Sequence, residues 1–521
     1  MTIPTKTSVL IIGSGNAGLS AALSAAESGA PSVLLIDSCP EHWSGGNSYF
    51  TAGAFRTVHS GLSEVLPLVN NVSAEMASKI DMQPYTPSDF SNDINRICLG
   101  RSDKDLARTL VSDSNEAVKW LAGHGVRFQL SFNRQAYEID GRFKFWGGMC
   151  LKTQDGGAGL VADERAAAEK LGVRILYSTA AKRIILHPEN GSVSGVLVQS
   201  ALSGKEWEIE AGAVIIAAGG FEANPRMRAQ YLGPGWDLAF VRGTPYNTGS
   251  VLEMAMRDAG AKQAGHWSGC HSVAWDANAP ADSGDRGVSN EFTKSGYPLG
   301  VMVNVDGERF VDEGVDMRNY TYAVFGRAIL AQPGHVAFQV WDGEMLPWLR
   351  GEEYREEVVE RITAGSIEEL AALCAEKGLR NPGRFVETVR EYNEAVACFQ
   401  EENPDRKWDP AVKDGLSTQS RRKKLALAKS NWATPLTKGP FVAVKVTCGV
   451  TFTFGGLAVD SETAGVISSA TNAPVPGLYC AGEMVGGLFY DNYPGGSGLT
   501  SGAVFGRRAG RAAAARSLTL I

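Results

Sequence analysis

The feature that most restricts this sequence is a glycine-rich turn near its start, between an apolar strand and an alanine-rich helix. The β-branched run at residues 9–12 leads directly into Gly13-Ser14-Gly15-Asn16-Ala17-Gly18, and residues 19–26 continue as a helix. The first glycine permits the tight turn, the second lets the backbone approach a pyrophosphate, and the third lets helix and strand pack closely. The helix N-terminus offers free N–H groups to phosphates. The pattern predicts binding of an adenine dinucleotide.

A second apolar strand supports this interpretation. It covers residues 33–36 and is followed by Asp37 and Ser38, about 20 residues beyond the glycine turn. An acidic residue at this distance accepts hydrogen bonds from a ribose hydroxyl of such a dinucleotide. The alternative is a glycine-rich turn that holds no ligand, and the strands on both sides of the helix count against it.

Length and charge limit the class of protein. A chain of 521 residues has room for two or three domains or for one large, interrupted domain. Its net charge of −7 offers no basic surface to a nucleic acid, and no apolar run approaches the roughly 18 residues of a membrane helix. The first apolar run is a strand rather than a signal peptide. Eight scattered cysteines without a CxxC pair indicate reduced thiols, so we predict a cytoplasmic protein without a metal site.

The pattern of elements changes twice along the chain. Strands are predicted at 174–177, 193–198 and 214–218, the last running into Gly219-Gly220-Phe221. A helix at 250–259 and charged helical patterns at 352–400 follow, and Arg421-Arg422-Lys423-Lys424 is interpreted as a solvated helix face. Strand patterns return at 441–446, and a helix at 498–516 closes the chain. We predict a dinucleotide domain, 1–249 and 439–521, interrupted by a cap domain, 250–438.

A second glycine cluster indicates which dinucleotide is bound. It covers Gly45 to Gly53, and together with the motifs at 217–220, 307–313 and 477–483 it resembles the flavoproteins of the fumarate reductase/succinate dehydrogenase superfamily. The resemblance covers nearly the whole chain. It implies an α/β fold: a Rossmann-like FAD-binding domain of the GR2/fumarate reductase flavoprotein type, interrupted by an α+β cap domain that bears on the substrate.

The resemblance also implies which residues contact FAD. Glu483 is expected at the ribityl chain, and the helix that opens at residues 496–499 is expected to point its N–H groups at the edge of the flavin that becomes negative on reduction. The predicted cofactor residues are Gly13, Gly15, Asn16, Ala17, Gly18, Asp37, Ser38, Gly45, Gly46, Asn47, Ser48, Thr51, Ala52, Gly53, Ala181, Ala218, Gly219, Gly220, Thr248, Gly249, Gly482, Glu483, Ser497, Gly498 and Leu499.

The attachment of FAD is expected to be non-covalent. Membrane-bound members of the superfamily link FAD to a histidine in the region that corresponds to residues 45–53. This sequence has no histidine there, although His42 and His59 flank it.

Within the superfamily, three segments look like FAD-dependent tricarballylate dehydrogenases and their relatives. These are residues 45–56, residues 312–322 and Thr453-Phe454-Gly455-Gly456. The resemblance implies an enzyme that forms a C=C bond next to a carboxylate. Such chemistry needs a base for the α-proton and a group that stabilises the enolate.

Candidate catalytic residues follow from the same resemblance. Arg318 is the nearest equivalent of the arginine that moves the proton in soluble fumarate reductases, shifted by one residue, and the alternative is a salt bridge in the cap. His271 falls near a histidine that holds a substrate carboxylate, although a structural histidine is an alternative, and His266 is a weaker candidate. Arg56 is a further cation that could pair with an acid.

Two departures argue against a fumarate or succinate enzyme. Fumarate reductases carry a histidine where this chain has Phe452, and an arginine where it has the segment Tyr493-Pro494-Gly495-Gly496. In fumarate reductases this histidine and this arginine would bind a substrate carboxylate. The tyrosine motif instead resembles 3-ketosteroid Δ1-dehydrogenases, in which such a tyrosine polarises a ketone. Tyr493 could take that role, and Tyr320 or Tyr322 could take the proton. Phe452, Phe454, Phe489, Tyr490 and Tyr493 would then line an aromatic pocket, or else belong to the core.

Three functions remain open from the sequence. The first is an FAD-dependent dehydrogenase, or reductase, of the tricarballylate dehydrogenase type acting on a CH–CH group. The second is a ketone desaturase or ene-reductase of ketosteroid type, and the third is a flavin-carrying electron-transfer subunit. No second dinucleotide motif appears between 250 and 440, so we expect electrons to pass to a quinone, a redox partner or oxygen rather than NAD(P)H.

Overall fold

The structure, a computed structural model, describes residues 4–520. These residues form two compact units, which are treated separately below. Unit 1 comprises the chain up to Gly233, Gly243–Cys270 and the chain from Phe452 onward, and unit 2 comprises Pro234–Arg242 and His271–Thr451. The predicted domain boundaries at 250 and 438 therefore fall at other positions than the unit boundaries. Residues 1–3 and 521, at the ends of the predicted dinucleotide domain, lie outside the described residues.

The strands and helices are numbered in chain order. The strands are β1 (Lys6–Ile12), β2 (Val33–Ile36), β3 (Ala54–Phe55), β4 (Ile80–Met82), β5 (Phe128–Leu130), β6 (Ala136–Ile139), β7 (Arg142–Phe145), β8 (Leu151–Thr153), β9 (Arg174–Leu176), β10 (Thr179–Leu186), β11 (Val193–Ser200), β12 (Glu206–Ile216), β13 (Phe240–Val241), β14 (Gln263–Asp276), β15 (Val301–Asn304), β16 (Ala337–Trp341), β17 (Ile362–Ala364), β18 (Phe441–Leu457), β19 (Gly465–Ile467) and β20 (Pro474–Cys480). The helices are α1 (Asn16–Glu27), α2 (Leu62–Val65), α3 (Ala74–Ala77), α4 (Pro87–Ile97), α5 (Lys104–Gly123), α6 (Phe132–Gln135), α7 (Gly156–Lys170), α8 (Pro225–Met227), α9 (Ser250–Ala259), α10 (Tyr322–Leu330), α11 (Gly351–Tyr354), α12 (Ile367–Glu376), α13 (Pro382–Glu402) and α14 (Ser497–Thr519).

Unit 1 is built on a sheet whose centre is parallel. Its strand order is β10-β11-β12-β1-β2-β9, with β20 pairing with β12 and β19 with β20. Strands β9, β2, β1, β12 and β20 run parallel to one another, whereas β10, β11 and β19 join antiparallel. β1 and β2 consist largely of buried β-branched and leucine residues, as a sheet covered on both faces requires. The predicted strands at 9–12, 33–36 and 193–198 are confirmed, and the strand predicted at 214–218 is the end of β12, which stops at Ile216.

Two helices of unit 1 pack unusually closely. On α14, Gly502, Gly506 and Gly510 recur every four residues and so lie on one face of the helix. A Cβ on each of them would stand about 2.5 or 2.6 Å from an atom of α1, too close for any side chain. These glycines therefore let α1 and α14 approach backbone to backbone. The closing helix was predicted from the sequence, but this contact was not.

Unit 2 has a sheet of its own, in which β18 pairs with β13, β14, β16 and β17, and β16 pairs with β15. Helices α12 and α13 cover one side of its core. α13 buries Phe385, Val389, Tyr392 and Val396 at the three- and four-residue spacing of an amphipathic helix. With a mostly antiparallel sheet and helices on one side of it, unit 2 has an α+β architecture.

Some element predictions need correction. The helix at 250–259 is confirmed as α9, but the stretch 352–400 is interrupted by β17 between α11 and α12. The segment Arg421–Lys424 is not a helix face: it is irregular and lies against α13. There Arg422 pairs with Glu401, and Lys423 pairs with Glu394. Two of the four basic side chains in this run are thus paired with acidic side chains of unit 2 itself.

Candidate functional site

The predicted cofactor motifs lie at one edge of the unit 1 sheet. Ile12, the last residue of β1, is in register with Ile36 of β2 and Ile216 of β12, and Ile216 is in register with Cys480 of β20. Because these strands are parallel, the turns that follow them emerge at the same edge. The segments at 13–18, 37–38, 217–220 and 481–483 are thereby brought together, although they are far apart in the sequence.

The first glycine turn has the geometry its spacing predicts. Gly13 has a φ of 112°, and a Cβ there would lie 2.3 Å from the carbonyl oxygen of Ala217. At Gly18 a Cβ would lie 1.9 Å from the carbonyl oxygen of Gly13. At Gly15, by contrast, the nearest atom would be 3.5 Å away. The turn is thus closed behind its first and third glycines and open at the second, where a pyrophosphate needs access.

Asp37 has a second function besides the predicted ribose contact. Its Oδ2 accepts hydrogen bonds from the backbone N–H of Ser14, at 2.8 Å, and from the Ser14 hydroxyl, at 2.6 Å. Its Oδ1 accepts from the N–H of Cys39 at 3.0 Å. The carboxylate therefore fixes the shape of the glycine turn. Asp37 and Ser38 are both half-buried, and a carboxylate oxygen has lone pairs for further donors.

The second glycine cluster is tied to the first. The hydroxyl of Ser48 accepts from the N–H of Asn16 at 3.0 Å, and the N–H of Gly45 donates to the Ser14 hydroxyl at 3.2 Å. Gly45 and Gly46 have φ values of 102° and 52°, in the left-handed region that glycine tolerates. The rest of this cluster turns back at Gly53, where a Cβ would overlap Thr153 of β8, so Thr51 and Ala52 lie beside α7.

Helices α1 and α14 of unit 1 both follow a glycine, Gly15 and Gly496, which supplies no capping side chain. At the start of α1 the N–H of Asn16 donates to the Ser48 hydroxyl, and at the start of α14 the N–H of Ser497 donates to the carbonyl oxygen of Pro494. Asn16 connects the two helices, because its Nδ2 donates to the carbonyl oxygen of Leu499 at 2.9 Å. Its Oδ1 is buried and has no hydrogen-bond partner among residues 4–520. Helix N-termini that follow a glycine, together with a buried free acceptor, fit a phosphate- and hydroxyl-bearing cofactor.

The remaining predicted cofactor residues also lie in unit 1. Gly219 and Gly482 have φ values of 74° and 75°, and the N–H of Ala218 contacts the sulfur of Met484 at 3.1 Å. The segment Thr248–Gly249 immediately precedes α9 and Ser497–Gly498 begins α14, whereas Ala181 lies near the start of β10. Their contacts with FAD stay predictions.

Sequence reasoning missed three polar residues beside these segments, namely Glu222, Asn247 and Thr453. Glu222 is fully buried and follows the Gly219–Gly220 turn directly. An acidic residue next to an apolar glycine turn is a signal that the sequence does contain. Asn247 and Thr453, in contrast, have no distinctive sequence context.

Tyr493 belongs to a cluster of four rings in unit 1. Its ring centroid lies 5.5 Å from that of Phe452, 6.3 Å from Phe454 and 5.4 Å from Phe489. Phe454 and Phe489 are buried at 3% and 4% exposure, whereas Phe452 and Tyr493 are half-buried. Only the last two therefore offer surface to a ligand. The other two belong to the core, the alternative that the sequence left open for these aromatic residues.

Tyr490 and His266 contact each other in unit 1. Their rings stack at 5.8 Å, and the guanidinium of Arg101 lies over the Tyr490 ring at 4.7 Å. The Nδ1 of His266 accepts from the N–H of Asp491 at 3.0 Å. These contacts give both residues a structural role.

The other predicted catalytic residues lie in unit 2. Arg318 and Tyr320 bound a half-buried turn directly before α10. His271 is buried, and its ring packs edge-on against Tyr322 at 5.9 Å. Burial lowers the pKa of His271 well below its usual value, and the nearby Arg242 guanidinium lowers it further. His271 is therefore a neutral imidazole at neutral pH, not a cation.

Arg242 is a cation of unit 2 that the sequence analysis did not single out. It is buried at 8% exposure and donates to the Thr451 hydroxyl at 2.9 Å and to the side-chain oxygen of Asn290. Its guanidinium also lies 5.5 Å from the ring centre of Trp275. The hydrogen bonds and the ring hold this charge in place.

Arg56, in unit 1, is a structural residue. It is fully buried, and its Nη1 donates to Asp93 at 3.0 Å and to the Tyr85 hydroxyl at 2.9 Å. Its Nε donates to the carbonyl oxygen of Gly495 at 2.9 Å. With its charge neutralised by Asp93, Arg56 is not the free cation for an acidic substrate that the sequence suggested.

Among residues 4–520, no helix combines the length and apolarity that a membrane span needs. Within the same residues, no group of histidine, cysteine and acidic side chains is arranged to hold a metal ion.

Comparison with known proteins extends this picture over the whole chain. The family model for the FAD binding domain matches residues 8–499. A probable fumarate reductase of Shewanella frigidimarina is 27% identical over 98% of this chain and 75% of that protein. A vinyl phenol reductase of Lactiplantibacillus plantarum is 28% identical over 97% of this chain and 96% of that protein.

A solved structure agrees. The open conformation of a flavocytochrome c3 fumarate reductase superposes with a TM-score of 0.72 at 25% identity, covering 99% of this chain and 79% of that one. The sheet-edge geometry, the helix N-termini that follow a glycine and the free Asn16 oxygen fit FAD. The chain thus belongs to the FAD binding domain family, within the fumarate reductase/succinate dehydrogenase flavoprotein superfamily, and is an FAD-dependent oxidoreductase.

Proposed function

We propose that this protein oxidises, or in reverse reduces, a C–C bond that lies α,β to a carboxylate or carbonyl group. When bound, FAD supplies the hydride chemistry. The observation that carries the proposal is the convergence of the glycine turns at 13–18, 45–53 and 217–220 with Glu483 at one sheet edge. The relatives named above support the reduction of a C=C bond, since both are reductases by name: fumarate has its C=C bond next to carboxylates, whereas a vinyl phenol has it next to a phenol ring.

The proposed roles in unit 2 follow from charge and burial. Arg318, which is half-buried, is proposed to move the α-proton through its guanidinium. His271 is neutral, so it would orient a carboxylate or carbonyl oxygen by donating one ring N–H rather than by charge. Arg242 would add the positive charge next to it. These roles are residue-by-residue expectations that the variants below test.

The first substrate class to test is an acid of the tricarballylate type. Three carboxylates need several cations, since each buried carboxylate requires a partner charge or strong donors. Of the cations first considered, Arg56 is already paired with Asp93 and His271 is neutral. Of the cations that this proposal assigns to the substrate, Arg318 and Arg242 remain. This count favours an acid with fewer carboxylates over tricarballylate itself.

A cyclic ketone is the second candidate, and Tyr493 is the observation that favours it. The tyrosine is half-buried, with Phe452 as its half-buried apolar neighbour 5.5 Å away. A phenol in such a setting donates a hydrogen bond to a carbonyl oxygen while the rings contact an apolar skeleton. Tyr320 would then be the candidate for the proton transfer in unit 2.

The electron acceptor is part of the proposal. We propose a quinone, a redox protein or oxygen, and a flavin-carrying electron-transfer role without substrate chemistry is the third candidate. Rapid, stoichiometric reduction of the bound flavin by NADPH would contradict the proposed acceptor class.

The deciding experiment is anaerobic titration of the purified flavoprotein, following the visible flavin band. Candidate reductants are tricarballylate, succinate, a monocarboxylate with an apolar side chain, and a 3-ketosteroid. Bleaching by an acid supports the first class, and bleaching by the ketone alone supports the second. If none of them bleaches the flavin while dithionite does, the electron-transfer role gains support.

Two pairs of variants assign the roles. Arg318→Ala should lower turnover by about 10²-fold or more, as loss of a proton-transfer group does, whereas Arg327→Ala on the exposed side of α10 should not. Tyr493→Phe should lower turnover by a similar factor with a ketone and by far less with an acid, and Tyr490→Phe is its matched control. Unchanged turnover of Arg318→Ala with every substrate would contradict the proposed catalytic role.

A further inference from the structure

Glu222 is a buried acid that the functions above do not use. It lies in unit 1, directly after the Gly219–Gly220–Phe221 turn, and has no exposed surface. The side-chain amides of Asn47 and Asn247 both donate to the same oxygen, Oε1, the latter at 2.5 Å. The other oxygen, Oε2, is buried and receives no hydrogen bond from any residue in the range 4–520.

A second carboxyl, that of Glu483, stands beside Glu222. Glu483 Oε1 accepts from the N–H of Thr453 at 2.7 Å and from the Thr453 hydroxyl at 2.9 Å. Burial raises the pKa of Glu222 well above its usual value, and the charge of Glu483 raises it further. Burial also raises the pKa of Glu483. Arg228 is the nearby cation, and it donates to the main-chain oxygen of Glu222. Two adjacent buried carboxyls do not both ionise at neutral pH.

The same acid connects segments that are predicted to surround FAD. Asn47 belongs to the second glycine cluster, Asn247 directly precedes Thr248–Gly249, and Glu483 follows β20. The fit is tight, because a Cβ at Gly219 would lie 2.3 Å from Asn247 Nδ2. A Cβ at Gly220 would likewise lie 2.1 Å from Glu483 Oε1. A side chain at either glycine would therefore displace one of these polar groups.

We propose that Glu222 is a positioning residue of the FAD site and is present there as the neutral carboxylic acid. Its carbonyl oxygen accepts the two asparagine amides, and its hydroxyl donates to Glu483, so the pair carries one negative charge instead of two. This proposal rests on the placement of FAD at the sheet edge given under the proposed function. It assigns the proton to Oε2 because that oxygen is the one left without a donor.

Glutamine is the matching test residue. The side chain of Glu222→Gln keeps a carbonyl oxygen for the two amides and has an N–H in place of the acid O–H. We expect the dissociation constant of FAD, measured by titrating apoprotein and following flavin fluorescence, to stay within about threefold of the wild type. Glu222→Ala removes the acceptor of both amides and should weaken FAD binding by about tenfold or more.

The flavin reduction potential gives a second measurement. Near neutral pH the wild type and Glu222→Gln should have the same potential, and the wild type should fall below the variant only at higher pH, where Glu222 ionises. Glu164→Gln is the control, since Glu164 is equally buried on α7 but accepts from Ser20. It should change neither quantity.

Two results would overturn the proposal. Equal weakening of FAD binding by Glu222→Gln and Glu222→Ala would mean that both oxygens of Glu222 accept, as an ionised carboxylate does. Wild-type affinity in Glu222→Ala would mean that the acid positions nothing. Both measurements read cofactor binding, so they remain separate from the substrate titration. If no acid or ketone bleaches the flavin, the proposed function fails while the role of Glu222 stands.

Discussion

The two units hold their polar groups in contrasting ways. At the sheet edge of unit 1, chemistry is carried by glycine turns, helix N-termini that follow a glycine and half-buried residues such as Asp37. In the core of unit 2, by comparison, some charges are buried and paired with one another, as in Arg309–Glu313 and Arg350–Glu353. The first arrangement leaves groups available to a ligand, and the second uses them to stabilise the fold. A conspicuous charged motif is therefore weaker evidence of a site than a strained glycine turn.

The glycine side of this contrast predicts the largest effect. Gly13→Ala places a Cβ 2.3 Å from the oxygen of Ala217 at a φ of 112°. We expect the free energy of unfolding to fall by roughly 2–6 kcal/mol and the purified variant to retain no flavin. The measurement is the ratio of flavin to protein absorbance after purification. Gly29→Ala is the control, because its φ is 83° but a Cβ there meets nothing within 4 Å. Equal flavin content in both variants would contradict the prediction.

The paired charges of unit 2 predict a stability effect without a cofactor effect. Glu313 Oε1 accepts from the N–H of Met302 at 2.8 Å and from Arg309 Nε at 3.0 Å, and both charged side chains are buried. Glu313→Gln leaves a buried guanidinium without its counter-ion, which costs about 3–5 kcal/mol. Thermal unfolding should show a lower Tm, whereas the exposed Glu308→Gln should leave it unchanged. A Tm loss with Glu308→Gln of the same size would mean that burial does not decide the effect.

Glu222 predicts a pH dependence of stability in unit 1. Its pKa is raised in the folded protein, so unfolding releases a proton at any pH between the unfolded value, about 4.3, and the folded one. The free energy of unfolding then falls as the pH rises through this window, by at most about 1.4 kcal/mol per pH unit. Glu222→Gln lacks this loss. The Tm of the variant minus that of the wild type should therefore increase between pH 5 and pH 8. Parallel curves of Tm against pH would contradict the assignment.

The smallest effect is expected for the basic run of unit 2. Arg422→Ala removes an exposed pair with Glu401, and such pairs contribute little because water screens them. We expect the Tm and the flavin content to match those of the wild type. A clear decrease in either would show that the run does more than satisfy nearby acids, and would sharpen the contrast with Glu313.

The sequence by itself determined the parts that depend on backbone geometry. The turn at 13–18 follows from spacing, because a close approach of backbones leaves room for no residue but glycine at Gly13 and Gly18. The strand patterns of β1, β2, β11 and β12 follow from short buried runs. The four-residue spacing of the glycines on α14 was equally visible, and its meaning appeared only when α1 was seen against it.

Only the tertiary structure decided which side chains are available. Arg56 and Arg318 look alike in the sequence, but Asp93 on α4 neutralises the first. His271 becomes neutral through burial near Arg242, and Glu222 through burial near Glu483. Protonation and pairing depend on groups that lie far away in the chain, and their desolvation is a property of the folded interior. For that physical reason the sequence located the cofactor motifs but could not assign charges around them.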